Sequence, residues 1–412
     1  MAKKSDTNII TGLDIGTSKI IALIGEVTAD GTIEIIGIGR HPSRGLKRGV
    51  VIDIETTVQS IQRAVQEAEL MAGREVRNVY AGIAGSHIRS LNSHGIVAIR
   101  DLEVSQADIE RVIDAAKAVA IPADQKILHI LPQEFIIDHQ GSIREPIGMA
   151  GVRLETRVHI VTGSVSAAQN IVTCVRRCGL EVNDVILEQL ASSHAVLTED
   201  EKDLGVCMID IGGGTTDIAI FCEGAIQHTA VIPIAGDQVT NDIAMALRTP
   251  TKDAESIKLS HGFALPEMAN ANHMIEVASV NDRPGRKISA RALSEVVAAR
   301  YEELFSLVRN EIRRSGFEDR LAAGIVLTGG ASNVRGAIEL AELSFEMPVR
   351  KGCAHYVSGL TEATENPSFA TGVGLLLHGL KQQYEGSYNV PAMNDNSKGL
   401  WLRVREWFQG NF

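Results

Sequence analysis

Two short stretches of this chain hold residue types that could do phosphate chemistry. "LDIGTSKI" ends an apolar strand on Asp14, turns at Gly16, and offers the hydroxyls of Thr17 and Ser18 before Lys19 opens the next strand. A hairpin tip of this kind can present backbone N–H groups and hydroxyls to an anion, with the carboxylate facing a hydrated Mg2+. "DIGGGTTD" repeats the plan with Asp210, then Gly212, Gly213 and Gly214, then Thr215 and Thr216. Each glycine costs about 0.5–1 kcal/mol relative to alanine inside a regular element, so the run needs a reason. Close approach of phosphate oxygens to bare backbone supplies one, with Thr215 and Thr216 donating and Asp210 facing the metal. Turn capping is the competing use of Asp14 and Asp210. Two copies, each flanked by glycine and hydroxyls, favour Mg2+ and phosphate. Lys19 either reaches a phosphate as a point charge or, by strand alternation, points away.

A third stretch, "IVLTGGASNVRG", follows an apolar strand with Gly329, Gly330, Ala331 and Ser332. Small residues where a strand gives way to a helix let a flat base or a ribose lie on backbone, and the helix N-terminus favours negative charge. No GxGxxG is present, and no glycine loop runs into Gly-Lys-Ser/Thr. Rossmann dinucleotide binding and Walker-type ATPases therefore lose ground.

The elements that must position these turns repeat too. "GLDIGTSKIIALIGE" and "MIDIGGGTTDIAIFCEG" share strand, Asp-Ile-Gly, hydroxyl-rich turn, strand, and an acid beside a glycine, which predicts a duplicated α/β domain. Helical spacing predicts helices over about 53–72, 165–178 and 289–314, and another that Ser105 caps with Asp108 at the capping-box position. The expected layout is a first core of 8–82, 161–204 and 359–380, an inserted α/β subdomain at 83–160, and a second core of 205–227 and 301–358. A smaller subdomain at 228–300, a flexible linker at 381–397 and a terminal helix at 398–412 complete it.

At 412 residues, 44% hydrophobic and 22% charged, with a formal charge of −11, the chain reads as an ordinary globular protein of more than one domain and not as a nucleic-acid binder. Five sparse cysteines, and a start without an apolar leader, predict a reduced cytoplasmic protein. Cys174 and Cys178 lie four apart without a second metal-ligand pair and read as buried thiols. His87, His129, His159 and His194 have no partner pattern and read as structural. No run approaches the ~20 apolar residues that cross a bilayer.

The tail is different. On a helix, Leu400, Trp401, Val404, Trp407 and Phe408 form one apolar stripe, Leu402 flanks it, Arg403 and Arg405 lie opposite or beside it, and Lys398 stands at the entrance. Residues 398–412 would reach only about 22 Å at ~1.5 Å per residue, short of a ~30 Å hydrocarbon core, so the helix can lie on a membrane but not cross it. Attraction to anionic lipid is worth only about 1 kcal/mol per base, so apolar insertion dominates. One tail is then a modest anchor, and several on one polymer hold far better through effective concentration. Docking on the protein's own body is the competing reading.

The three turns, in this order, resemble the two phosphate motifs and the adenosine motif of the actin, sugar-kinase and DnaK-type chaperone superfamily. Within it, "GLDIGTSKI", "PSRGLKRGVVIDIETTVQSIQRAVQEAE", "ASSHAVLTEDEKDLGVCMIDIGGGTTDIA", "LTGGASNVRG" and the aromatic basic tail resemble the FtsA family along essentially the whole chain. The resemblance implies an α/β, actin-like fold with duplicated ATPase domains around a nucleotide cleft, and ATP with Mg2+ as cofactors. It puts Glu255 of "AESIK" on the ribose and Lys258 near the adenine. "LEQLASSHA" resembles the superfamily's connecting helix, with Gln189 where chaperones have proline. There Glu188 either orients a water for attack on the γ-phosphate or is a capping carboxylate at a helix start. Positioning without a well-oriented water gives tight binding and at most slow hydrolysis.

The resemblance further implies self-assembly, tethering of FtsZ polymers to the inner face of the cytoplasmic membrane at the division septum, and recruitment of later division proteins. The FtsZ tail would bind the smaller subdomain, and the insert would serve assembly and downstream partners. A sugar or acid kinase would need a substrate cleft with a catalytic base and has no use for a membrane foot. A chaperone would need a substrate-binding domain after Leu380, and a pilus-assembly actin relative would more naturally reach the membrane through a partner.

Overall fold

The alternating, β-branched residues of the first segment form an antiparallel meander, β1 (Ile9–Ile15), β2 (Lys19–Val27) and β3 (Ile33–Pro42). The computed structural model describes residues 8–280 and 285–388, with side chains to 384. A small hairpin follows, β4 (Leu46–Lys47) and β5 (Val50–Val51), then α1 (Ile54–Ala72), capped by Asp53 through the Thr56 N–H and ended by Gly73 in the left-handed region. β6 (Asn78–Ile83) returns beside β1. The insert comprises β7 (Arg89–Ala98), α2 (Gln106–Lys117), β8 (Gln125–Ile137), β9 (Gln140–Ile143) and β10 (Arg153–Ser164). Ser105 and Asp108 make the predicted reciprocal capping box on α2.

The chain re-enters the first unit with α3 (Val165–Arg177), β11 (Glu181–Leu187), α4 (Glu188–Val196) and α5 (Glu199–Leu204). A second meander then repeats the first as β12 (Val206–Ile211), β13 (Thr216–Cys222) and β14 (Ala225–Ile232). α6 (Gly236–Leu247), α7 (Thr251–His261), β15 (Met274–Val277), β16 (Arg286–Ser289) and α8 (Ala290–Ser315) follow, then β17 (Ile325–Thr328), α9 (Ala337–Phe345) and β18 (Val349–Lys351). The chain closes on the first unit with β19 (Val357–Gly359), α10 (Thr361–Glu365) and α11 (Ala370–Tyr388).

The duplication extends to topology, except that the first sheet carries one further strand, β19, beside β3. The first sheet runs β11-β6-β1-β2-β3-β19 and the second β14-β13-β12-β17-β18. In each, a meander of three antiparallel strands is extended by two parallel strands beside its first strand. The insert has its own sheet, β7-β10-β8-β9, packed on α2 around Val112, Ile113, Phe135 and Leu154.

Several expected boundaries fall inside elements. The cut at 160 divides β10, those at 227 and 300 divide β14 and α8, and that at 358 divides β19, which pairs with β3 in the first sheet. The expected linker begins inside α11. Lys, Gln and Glu favour helix, and Gln382 donates to Asp184 at 2.8 Å, so helix persists where periodicity stops. The rest of that linker, and every membrane residue expected at 398–412, lie outside the described residues.

α1 crosses β3 at glycine. A methyl group at Gly39 would land on the Ala64 carbonyl oxygen. Gly39→Ala is expected to cost about 1–3 kcal/mol through overpacking, read as a lowered midpoint in urea unfolding.

Candidate functional site

The strand-and-turn duplication brings both acidic turns to one cleft. Asp14, last but one in β1, and Asp210, last but one in β12, are each 8% exposed. Burial makes it hard for either to stay charged. Burial, then the nearby Asp210 carboxylate, pushes Asp14 up to about 7 against the opposing pull of Lys19. Asp210 is also raised by burial, although Ser192 donates to it at 2.7 Å and Thr371 at 3.4 Å.

Two more carboxylates join them. Asp217 sits opposite Asp210 across the β12–β13 hairpin, 4% exposed, and burial with Asp210 raises it well above the usual range. Glu188, at the start of α4, is raised well above its ordinary value by withdrawal from solvent and then by Asp14, Asp217 and Asp210. Four mutually repelling acids share this site with a single lysine. Lys19 points inward, its Nζ 5.8 Å from the Phe369 ring centroid and close beside Gly330, so the reading in which it faces away is wrong. Burial lowers its pKa, and Asp14 and Asp210 oppose that.

The glycine run has a different immediate cause from the expected one. A methyl at Gly213 would overlap Ser18 Oγ, and one at Gly214 would lie 2.6 Å from Thr17 Oγ1. The two hairpin tips thus meet face to face, and Ser18 Oγ donates to Asp237 Oδ1 at 2.7 Å across the cleft. Thr17 Oγ1 accepts from Gly49 N–H at 2.9 Å, which leaves its own hydrogen free. The expected donors Thr215 and Thr216 are buried and committed elsewhere, Thr215 to Asp217 at 3.2 Å and Thr216 to the Ile234 carbonyl at 2.7 Å. Gly16 forms the first tip, where a methyl would come 2.8 Å from the Lys19 carbonyl oxygen, and Gly212 N–H bonds the Thr215 carbonyl at 3.0 Å.

The third turn closes the far side. Gly329 has φ +84°, and a side chain there would strike Asp210 Oδ1, so glycine alone fits. Gly330, Ala331 and Ser332 make one 3-10 turn, with Ser332 Oγ donating to the Gly329 carbonyl at 2.7 Å, and α9 starts only at Ala337. The expected helix N-terminus is therefore displaced from the turn. On α7, Lys258 Nζ lies 2.6 Å from Glu255 Oε2 and donates to Thr240 Oγ1 at 2.8 Å and to the Gly236 carbonyl at 3.1 Å. Thr240 also donates to Glu255, and a methyl at Gly236 would lie 3.3 Å from Ala331 Cβ, which joins this pair to the third turn.

Sequence reasoning missed Asp217, Asp237, Ser192 and Thr371. Asp217 had a signal, because counting across the hairpin sets it opposite Asp210 on the same face. The others come from distant segments. Asp217 Oδ1 and both polar atoms of the fully buried Gln189 side chain have no hydrogen-bond partner, and unpaired buried polar atoms beside an acidic cluster fit a bound cation and its water. Among the described residues no three His, Cys, Asp or Glu side chains come close enough to ligate a metal directly, so a cation here would be held through its water shell.

Known proteins give the arrangement a family. The model for "Cell division protein FtsA" matches residues 207–374, and that for "SHS2 domain inserted in FTSA" matches 85–162. Over 417 residues, the whole of both chains, the sequence is 64% identical to cell division protein FtsA of Pseudomonas aeruginosa. It is 44% identical over 420 residues to that of Escherichia coli, again the whole of both chains. Among solved structures, the PilM-PilN type IV pilus biogenesis complex matches with TM-score 0.64 at 17% identity, covering 90% of this chain and 98% of that one. MreB5 of Spiroplasma citri bound to ADP matches with TM-score 0.55 at 15% identity, over 94% and 100%. These two establish an actin-like fold and no more. The full-length identities and the matched insert together establish that the chain belongs to the FtsA family of cell division proteins.

Proposed function

We propose that the cleft binds ATP with Mg2+ and that the bound nucleotide sets how readily this chain assembles and holds FtsZ polymers at the cytoplasmic membrane. The observation that carries the nucleotide reading is the convergence of three buried carboxylates, Asp14, Asp210 and Asp217, and the half-buried Glu188 on one lysine between two glycine turns. A divalent cation relieves their mutual repulsion as no protein group here does. Asp14, Asp210 and Asp217 would hold its waters, and Thr17 and Ser18 with Gly16 and Gly212–Gly214 would face the phosphates beside Lys19. Glu255 and Lys258 would take the ribose and adenine edge, with Gly329–Ser332 beneath them. Mg2+ supplies neutralisation of phosphate charge.

Glu188 stands where a water-orienting acid is needed. Burial and the neighbouring carboxylates raise its pKa, which disfavours the ionised form that a general base needs and agrees with slow turnover. The assembly reading rests on family membership, with the smaller subdomain around 228–300 as the seat of the FtsZ tail and the insert as an assembly and recruitment surface. Later division proteins would then gather at the septum. Sedimentation of the full chain with FtsZ polymers tests this. Co-pelleting that responds to Mg·ATP is expected, and a chain that stays in the supernatant under every nucleotide would remove the reading.

A further inference from the structure

A cavity of about 310 Å3 lies at the end of α7 in the smaller subdomain. It is bounded by the end of α7, the 261–273 connection and the segment just after the third turn. Its lining is basic and amphipathic. His261 and His273 face each other with ring centroids 5.4 Å apart, and Arg335 lies over Phe263 with its guanidinium carbon 5.3 Å from the ring centroid. Asn270 adds a carboxamide, and Met268 forms part of the rim.

None of the three basic side chains forms an ion pair with any described residue. Most arginines of this chain have a carboxylate at hand: Arg300 has Asp242, Arg309 has Glu346, Arg350 has Glu201. Crowding supports the same point, since burial and then His273 and Arg335 lower the pKa of His261. Stacking on Phe263 holds the guanidinium plane still and leaves its N–H edge free for a bidentate contact. The backbone makes the cavity a fixed one. Phe263 bridges Arg335 as a parallel pair, and Ala264 N–H donates to the Arg335 carbonyl at 2.7 Å.

We propose that this cavity is an oxyanion subsite that takes a phosphate group, either inorganic phosphate or the phosphate of a small monoester. Arg335 supplies the planar fork, His261 and His273 supply ring N–H donors from the other side, and Asn270 completes the polar wall. The volume exceeds what one phosphate needs and leaves room for a short organic moiety against Met268 and Phe263. A ligand here bridges α7, whose inner face carries Glu255 and Lys258, to the turn that carries Ala331. The subsite stands whether or not the cleft binds nucleotide, because its residues are separate from those of the cleft.

The test is a titration of the full-length chain with inorganic phosphate and, separately, with glycerol 3-phosphate, followed by the imidazole Cε1–H resonances of His261 and His273. Saturable shifts of both are expected with at least one probe, and the two arms separate free phosphate from a monoester. Arg335→Gln and His273→Asn are each expected to weaken the response about tenfold or more. His273 is exposed, so its variant keeps the test valid if loss of the Arg335 stack disturbs folding. Shifts that stay linear into tens of millimolar, shifts undiminished in both variants, or a response to an acidic peptide and to neither phosphate would each overturn the assignment.

Discussion

Asp210→Asn is expected to weaken Mg·ATP binding by at least a hundredfold, about 2.7 kcal/mol, measured by isothermal titration of the full chain. Asp210 is the hub of the cleft. Ser192 and Thr371 orient it, Gly329 is glycine because its side chain fills the space, and its charge reaches Asp14, Asp217 and Glu188. Asparagine keeps the shape and can still accept from Ser192, so the loss isolates charge. Glu188→Gln should leave affinity within a few-fold and lower turnover instead, since its proposed partner is a water and not the cation. If Asp210→Asn bound Mg·ATP as tightly as the native chain, the carboxylates would be structural.

The same cluster predicts a stability gain from removing a charge. Asp14 has its ordinary pKa of 3.8 raised to about 7 by burial and Asp210. The folded state therefore holds its proton more tightly than the unfolded state. Stability contributed by this group is full below pH 3.8, declines as pH rises, and is lost once pH passes about 7. At about 1.36 kcal/mol per pKa unit, the penalty at pH 8 is on the order of 4 kcal/mol. Asp14→Asn should accordingly raise the urea midpoint of the ligand-free chain at pH 8, and the gain should shrink towards pH 4. Saturating Mg·ATP should reverse the order at pH 8, because only the native carboxylate gains from the cation. A gain independent of pH would mean that packing, not charge, changed.

Local chemistry was legible in the sequence where it is carried by contiguous residues. The Ser105–Asp108 capping box and the two Asp-Ile-Gly hairpins follow from spacing within one turn or one hairpin, whereas Asp53, expected as the first helical residue, is the cap. What the sequence hid depends on pairings across the fold. Gly213 and Gly214 are glycine because Ser18 and Thr17 arrive from the other domain, and nothing within "DIGGGTTD" distinguishes that demand from the demand of a phosphate. Thr216 looks like a donor until β14 leads the chain back and presents the Ile234 carbonyl to it. Ser192 and Thr371 reach Asp210 from α4 and α11, far away along the chain. The end of α11 was misread for the opposite reason. A polar stretch without period looks like a linker, yet a helix already nucleated by packing continues through residues of good intrinsic propensity.

In the proposed function a nucleotide cleft and a membrane-binding tail must both act for the chain to tether an FtsZ polymer. Liposome co-sedimentation of the full chain and of a version ending at Ser397, with purified FtsZ, with and without Mg·ATP, tests that joint requirement most directly. The full chain is expected to carry FtsZ down with the vesicles, more so with Mg·ATP, and the shortened chain to leave it in solution. Equal recovery of FtsZ by the two chains would contradict the tether.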